Sequence, residues 1–300
     1  MNTMKVSGGG RARLLVVTSQ LGGAGKTTVA TNVAYGLAMR GRKVMLIDLS
    51  AYGADAHRRF DASRSVDLKR RGISALMRWA GDAWGAKDSA ATAAAIGSAR
   101  DVEFFSVELI PDRLRLLPGV CSQADYFESD EAPLRRQLLS THAAILERMF
   151  DVLAVDYDAI VVDGSTEHYT AMTVAAFRAA ALAPDRSYLA WVVDTGTPDR
   201  LPGEMSGLRA LSSGPAARTL GIGRAPLVVV GNRARSRGPD MIIESAASEF
   251  GPIAIVRLPA AESVEAASHL AGVPSVGLES ESVLALAFAP LIDLLDGRQY

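Results

Sequence analysis

The chain has few of the residues that would assign it to a disulfide-rich, metal-binding or membrane-spanning class. Its 300 residues include one cysteine, Cys121, which excludes a disulfide framework and fits a reducing compartment. The four histidines, His57, His142, His168 and His269, have no metal-ligand spacing. No run of about 20 apolar residues occurs, so the sequence predicts no membrane span. These features favour a cytoplasmic protein without a structural metal.

Net charge is also nearly absent, at −1, so no overall field draws the chain to nucleic acid. The charge is unevenly distributed, however. The segment from Met205 to Pro239 contains six arginines and no acidic residue. These arginines are Arg209, Arg218, Arg224, Arg233, Arg235 and Arg237. From Asp240 to Tyr300 acids predominate, and such asymmetry is an argument about partners rather than about fold.

The hydrophobic content of 49 % is enough to bury one large core. We therefore expect a single α/β domain over residues 13–300. Residues 1–12 are basic and glycine-rich with no apolar segment, which predicts a disordered lead rather than a signal peptide. An alanine- and glycine-rich stretch predicts a helical insertion around residues 65–105.

The most informative stretch runs from Ser19 to Thr28 and reads SQLGGAGKTT. It follows the apolar run 14–17 and precedes a helical pattern, which is the strand, glycine turn and helix order of a phosphate-binding loop. Glycines let successive N–H groups point at an anion, and the helix directs its positive end to the same place. Lys26 is expected to reach the β- and γ-phosphates, and the Thr27 hydroxyl to hold Mg²⁺. The predicted phosphate-binding residues are Gly22, Gly23, Ala24, Gly25, Lys26, Thr27 and Thr28.

The strict motif has glycine at its first position, where this chain has Gln20. A glycine-rich turn with an incidental lysine is therefore the alternative interpretation.

Two further apolar strands, 43–48 and 157–163, end in the acids Asp48 and Asp163. In a parallel sheet, ligands bind at the carboxyl ends of the strands, so both acids are expected near the loop. Asp163 would hold the Mg²⁺ shell, and the alternative is that it caps a helix at Thr166. Apolar segments at 114–117, 188–193, 227–233 and 253–259 complete a single doubly wound, mostly parallel sheet with helices on both faces.

At these residues the chain resembles the ParA/MinD branch of P-loop ATPases, which have a deviant Walker A loop, and the ParA-like proteins in particular. The similarity continues through Thr31-Asn32 and ends in a Gly-x-Pro segment, Gly272 to Pro274. It implies a SIMIBI-like P-loop NTPase fold with ATP and Mg²⁺ as cofactors. It also implies catalytic roles for Lys26 and Asp48, Mg²⁺ ligation by Thr27, Asp48 and Asp163, and an adenine contact from Asn232.

The chain departs from the family pattern at two positions. The extra lysine just before the Gly-Gly pair is Leu21, and the second acid of the Asp-x-Asp strand end is Ser50. Both departures concern hydrolysis, so a nucleotide-binding scaffold without turnover is the second hypothesis. Arg58 and Arg59, on the expected switch segment, are candidates to replace the missing charge. A bacterial P-loop tyrosine kinase is disfavoured because the tail has one terminal tyrosine, Tyr300.

The resemblance further implies partners: an ATP-dependent homodimer, an activator or adaptor protein, and DNA bound without sequence preference. The six arginines between Met205 and Pro239 are the candidate DNA contacts, and a solvated loop is the alternative. DNA binding would associate the protein with the nucleoid. The final apolar helix, 283–295, carries the acids Asp293 and Asp296 and only one late arginine, which is the wrong charge for a basic membrane-binding helix. No membrane partner is therefore expected.

Overall fold

The apolar segments of the chain pair edge to edge into one sheet of eight strands in the computed structural model. The structure describes residues 12–49, 56–60, 70–83, 93–119, 132–164, 171–213, 226–234, 243–244, 248–278 and 282–297. The strands are β1 (Arg13–Thr18), β2 (Val44–Asp48), β3 (Val107–Ile110), β4 (Leu114–Leu117), β5 (Ala159–Asp163), β6 (Ser187–Asp194), β7 (Leu227–Ala234) and β8 (Ala254–Pro259).

The strand order is β3-β4-β2-β5-β1-β6-β7-β8, which places β1 between β5 and β6. All neighbouring strands are parallel except β3 and β4, which are antiparallel. The predicted fold class, a single mostly parallel sheet, is therefore confirmed. The antiparallel edge strand β3 was not predicted from the sequence.

The helices connect the strands and cover both faces of the sheet. They are α1 (Lys26–Met39), α2 (Ile73–Ala83), α3 (Ala99–Phe105), α4 (Ala132–Asp156), α5 (Ala171–Leu182), α6 (Leu201–Ser213), α7 (Glu262–Ala271), α8 (Ser275–Leu278) and α9 (Val283–Asp296). Two 3₁₀ turns, Ala56–Phe60 and Pro198–Arg200, precede α2 and α6.

Alternate residues of β1 face the two layers of helices, as the period of a strand requires. Leu15 and Val17 belong to a core shared with α1 and α9, whereas Leu14 and Val16 belong to a core shared with α2 to α5. A third, smaller core joins Trp191 of β6 to the apolar side of α6. Because β1 is buried on both faces, its carboxyl end is held rigidly at the middle of the sheet.

Within the predicted insertion, α2 and α3 contribute buried side chains, such as Leu76 and Val102, to the core. The domain boundaries themselves stay predictions. Residues 1–11, Ser50, Trp84 and Cys121 lie outside the described residues. In the part of the chain that the structure describes, no helix is both long enough and apolar enough to cross a membrane.

Candidate functional site

The glycine loop joins the end of β1 to the start of α1. Gly23 and Gly25 have φ angles of +78° and +101°, which L-residues with a side chain rarely adopt. A Cβ on Gly25 would also overlap the side-chain amide of Asn232. Glycine at position 25 is therefore required both by the backbone angle and by the close approach of β7.

The amino end of α1 is open to an anion. Gly25 is the N-cap residue, and no side chain caps the helix there. The first N–H groups of a helix need an acceptor, and together with the helix dipole they favour a negative charge. The loop thus has the backbone geometry that the motif predicts.

Lys26 is buried beside this loop, with 9 % of its surface exposed. Its Nζ donates to Ser19 Oγ at 3.1 Å, and Ser19 Oγ donates in turn to the Leu21 carbonyl oxygen at 2.8 Å. Burial lowers the pKa of Lys26, and the negative charges of Asp163 and Glu204 oppose that shift. A buried cation whose charged form is disfavoured is well suited to bind a strong anion such as a phosphate.

The two predicted acids meet at the carboxyl ends of neighbouring strands. Asp48 of β2 and Asp163 of β5 are in register, and 0 % and 2 % of their surfaces are exposed. Asp48 Oδ2 accepts from the Ala56 N–H at 3.2 Å, which fixes the carboxylate against the 3₁₀ turn Ala56–Phe60. Among the described residues, no group of three or more His, Cys, Asp or Glu side chains could hold a metal by itself. Two carboxylates with a threonine hydroxyl would leave room for water and phosphate oxygens, as Mg²⁺ prefers.

Asn232, at the end of β7, packs directly on the loop. Its Nδ2 donates to the Ala24 carbonyl oxygen at 2.9 Å, and the side chain is buried. The adenine contact stays a prediction. What the structure adds is that Asn232 holds the middle of the loop.

The candidate arginines lie in different surroundings. Arg59 Nη2 donates to Thr28 Oγ1 at 3.1 Å, so this residue of the 3₁₀ turn Ala56–Phe60 reaches the first turn of α1. Arg209 pairs with Glu249 at 3.2 Å, and Arg233 with Asp194 at 3.5 Å. The other four candidate DNA contacts, Arg218, Arg224, Arg235 and Arg237, lie outside the described residues.

Two functional candidates were missed from the sequence, and both lie at the start of α6. Glu204 is fully buried, and its two carboxylate oxygens accept from the Gln20 N–H at 2.8 Å and the Leu21 N–H at 3.0 Å. Arg200 Nη1 donates to the Gly22 carbonyl oxygen at 3.0 Å. The sequence signal that could have located them is the helical spacing of the apolar residues Leu201, Met205 and Leu208, which predicts a helix at this position.

Comparison with known proteins agrees with a phosphate-binding loop at this site. The model of an AAA domain family matches residues 12–182, which is more than half of the chain. This match covers the loop, both acid-ended strands and the helices between them. The chain is a member of the ParA/MinD-type P-loop ATPases. No curated protein matches this chain by sequence.

Solved structures show the same fold over almost the whole chain. An ATP complex of Cyanothece McdA has a TM-score of 0.68 at 17 % identity, covering 97 % of this chain and 99 % of that chain. A putative plasmid partition protein from Borrelia burgdorferi B31, bound to AMPPNP, has a TM-score of 0.66 at 14 % identity, covering 96 % and 100 %. The MinC:MinD complex of Aquifex aeolicus has a TM-score of 0.65 at 18 % identity, covering 96 % and 98 %.

Proposed function

We propose that this protein is a ParA-like switch that binds ATP with Mg²⁺, hydrolyses the ATP and dimerises in its ATP-bound form. The observation that carries the proposal is the burial of Lys26 between the glycine loop and two acids, Asp163 and Glu204. Burial disfavours the charged form of Lys26, and its Nζ donates to Ser19 Oγ within the loop. A nucleotide phosphate would compensate for the water that the Lys26 ammonium loses on burial.

The residues of the site fit the proposed ligands. The loop N–H groups and the Lys26 ammonium would hold the phosphates, while Thr27, Asp48 and Asp163 would hold the metal shell. A bound Mg²⁺ would neutralise charge on the phosphate oxygens during transfer. Asp48 is fully buried, and its Oδ2 accepts from the Ala56 N–H at 3.2 Å. A carboxylate fixed in this way would orient an attacking water.

The proposal is tested by steady-state ATP turnover of the purified protein with and without duplex DNA. Lys26→Ala is expected to abolish turnover because it removes the cation at the phosphates. Arg178→Ala is the matched control, since Arg178 pairs with Glu147 at 3.1 Å between α5 and α4, outside the proposed site. Turnover by Lys26→Ala equal to that of the wild type would contradict the proposal.

A hydrolysis-deficient scaffold is the second candidate function. The observation that favours it is Leu21, whose side chain lies against α6, with Cδ1 3.8 Å from the position of a Cβ on Gly203. The loop itself therefore offers no second cation. Tight ATP binding that is lost in Lys26→Ala, together with no turnover in the presence of DNA, would favour the scaffold over the switch.

For the cellular role, we propose positioning of a plasmid, a chromosome or another large cargo, with a partner protein that triggers hydrolysis. A plasmid partition protein and a MinD protein in complex with MinC are among the similar structures, and they support this role by analogy of fold.

We further propose that the arginines between Met205 and Pro239 bind duplex DNA without sequence preference. If four to six of them met phosphates, the log–log salt dependence of the affinity would have a slope of about −0.9 per neutralised phosphate, or about −4 to −5 in total. A slope near −1 would contradict a multi-arginine surface. The described members, Arg209 and Arg233, would exchange their present carboxylate partners for phosphates.

A further inference from the structure

The rim of the phosphate loop carries an arginine that comes from a different part of the chain. Arg200 ends the 3₁₀ turn Pro198–Arg200, and its exposed guanidinium donates from Nη1 to the Gly22 carbonyl oxygen at 3.0 Å. The same Nη1 lies 3.7 Å from where a Cβ on Gly23 would be. The guanidinium therefore sits directly against the two exposed glycines of the loop.

The turn that carries Arg200 is held in place by a buried acid. Asp194, at the end of β6, accepts from the Gly196 N–H and from Thr197 Oγ1, each at 3.0 Å. The Arg200 N–H then donates to the Thr197 carbonyl oxygen at 3.0 Å. Arg200 is thus anchored through its backbone to the carboxyl end of the sheet, beside β1.

Glu204 fixes the loop from the same helix. It lies four residues after Arg200, one turn further along the chain, and accepts the Gln20 and Leu21 N–H groups. These bonds hold the first half of the loop against α6, where Leu21 packs near Gly203. Glu204 is therefore a positioning residue that keeps Arg200 and Gly22 in register.

The charge on Arg200 is available for a ligand. Within the described ranges, no carboxylate forms an ion pair with Arg200, and Glu204 already accepts two backbone N–H groups. A guanidinium has five N–H donors in a planar fork that matches a phosphate group. A single carbonyl acceptor leaves most of that capacity unused.

The loop that Arg200 contacts is the one that would hold the terminal phosphates. Lys26 Nζ points to Ser19 at the start of the loop, and the lysine of a phosphate loop reaches the β- and γ-phosphates. We propose that Arg200 binds the terminal phosphate of ATP in its own phosphate loop, exchanging the Gly22 carbonyl for phosphate oxygens. The second cation of the site then comes from the turn before α6, where the loop itself has Leu21. This inference rests on the proposed function.

The test is calorimetric titration of the full chain with ATP and with ADP, each with Mg²⁺. Arg200→Ala is expected to weaken ATP binding about tenfold to a hundredfold, the range of a charge-assisted hydrogen bond, and to change ADP binding by less than about threefold. Arg200→Lys should bind ATP more tightly than Arg200→Ala but less tightly than the wild type, because lysine keeps the positive charge and lacks the planar set of guanidinium donors. Arg178→Ala is the control for removal of an exposed arginine.

The outcomes separate the two proposals. If the wild type binds ATP, Lys26→Ala does not, and Arg200→Ala binds ATP as the wild type does, the role of Arg200 is overturned and the proposed function stands. Equal losses of ATP and ADP affinity in Arg200→Ala would also overturn the assignment to the terminal phosphate. If the wild type binds no ATP, or if Lys26→Ala binds it equally well, the proposed function fails and this inference fails with it.

Discussion

The two ends of the sheet differ in whether the surrounding residues favour or disfavour the charged form of a covered side chain. At the amino end, Lys43 precedes β2 and Tyr157 precedes β5, and both donate to Glu103 Oε1 of α3, at 3.2 and 2.7 Å. Burial would raise the pKa of Glu103, but these two hydrogen bonds and the charges of Lys43 and Arg115 together outweigh it and hold the pKa below its ordinary value. The ionised form is therefore stabilised by the fold.

At the carboxyl end of the sheet, the effect of burial on the pKa outweighs that of the neighbouring charges and hydrogen bonds. Burial lowers the pKa of Lys26 despite the attraction of Asp163 and Glu204. Burial also raises the pKa of Glu204, although the Gln20 and Leu21 N–H groups and the charges of Lys26 and Arg200 oppose that shift. The surroundings of Glu103 thus favour its charged form, whereas burial disfavours the charged forms of Lys26 and Glu204.

The largest effect is expected from substituting one lysine at each end of the sheet, Lys26→Met and Lys43→Met. Lys26→Met should reduce ATP turnover about a hundredfold to a thousandfold, the loss typical of one preorganised electrostatic group. It should not lower the melting temperature measured without nucleotide, because it removes a cation whose charge is disfavoured by burial.

Lys43→Met is the matched control at the other end of the sheet. It should leave turnover unchanged and lower the melting temperature, since it removes the partner of Glu103. Thermal unfolding measures both effects. Equal falls in melting temperature for the two variants would show that the two lysines contribute equally to stability.

The second prediction compares the glycines that flank α1. Gly25 and Gly41 have φ angles of +101° and +86°, but a Cβ on Gly25 would overlap Asn232, whereas one on Gly41 would meet nothing within 4 Å. Gly41→Ala should therefore cost about 1 kcal/mol of unfolding free energy and Gly25→Ala about 2 to 3 kcal/mol. Denaturant unfolding of both variants measures the difference, and equal costs would mean that Asn232 yields to the added methyl group.

The smallest effects are pH-dependent and opposite in sign. The pKa of Glu103 is lowered from 4.5 in the native state, so the unfolded chain binds more protons just below that value. The stability of the wild type relative to Glu103→Gln should be constant above about pH 4.5 and should shrink as the pH falls through the native pKa. The difference should be below about 1 kcal/mol because the Lys43–Glu103 pair is partly exposed to solvent.

Glu204→Gln should show a pH dependence of stability with the opposite sign. Its native pKa is raised from 4.5, so the native state binds more protons above that value. The stability of the wild type relative to Glu204→Gln should therefore fall as the pH rises from 4.5 through the native pKa, and then level off. Thermal melts at a series of pH values test both slopes, and slopes of the same sign would refute the comparison.

The sequence predicted the parts of the site that are built from local patterns. The loop, Lys26 at the start of α1, and the acids at the ends of β2 and β5 are all found in the predicted elements. The helix α6 was missed because Pro202, Gly203 and Gly207 have low helix propensity, which concealed the spacing of its apolar residues. The edge strand β3 was missed because four half-exposed residues carry little periodic signal.

The sequence by itself determined that this protein has a phosphate loop on an α/β sheet, because glycines, an apolar strand and a following helix are encoded within about 30 neighbouring residues. Only the tertiary structure decided what surrounds that loop. The strand order places β6 beside β1 and β7 beyond it, which brings Arg200 to Gly22 across 178 positions of sequence and Asn232 to Ala24 across 208. Contacts over such separations depend on the packing of the whole sheet, and no local pattern encodes them.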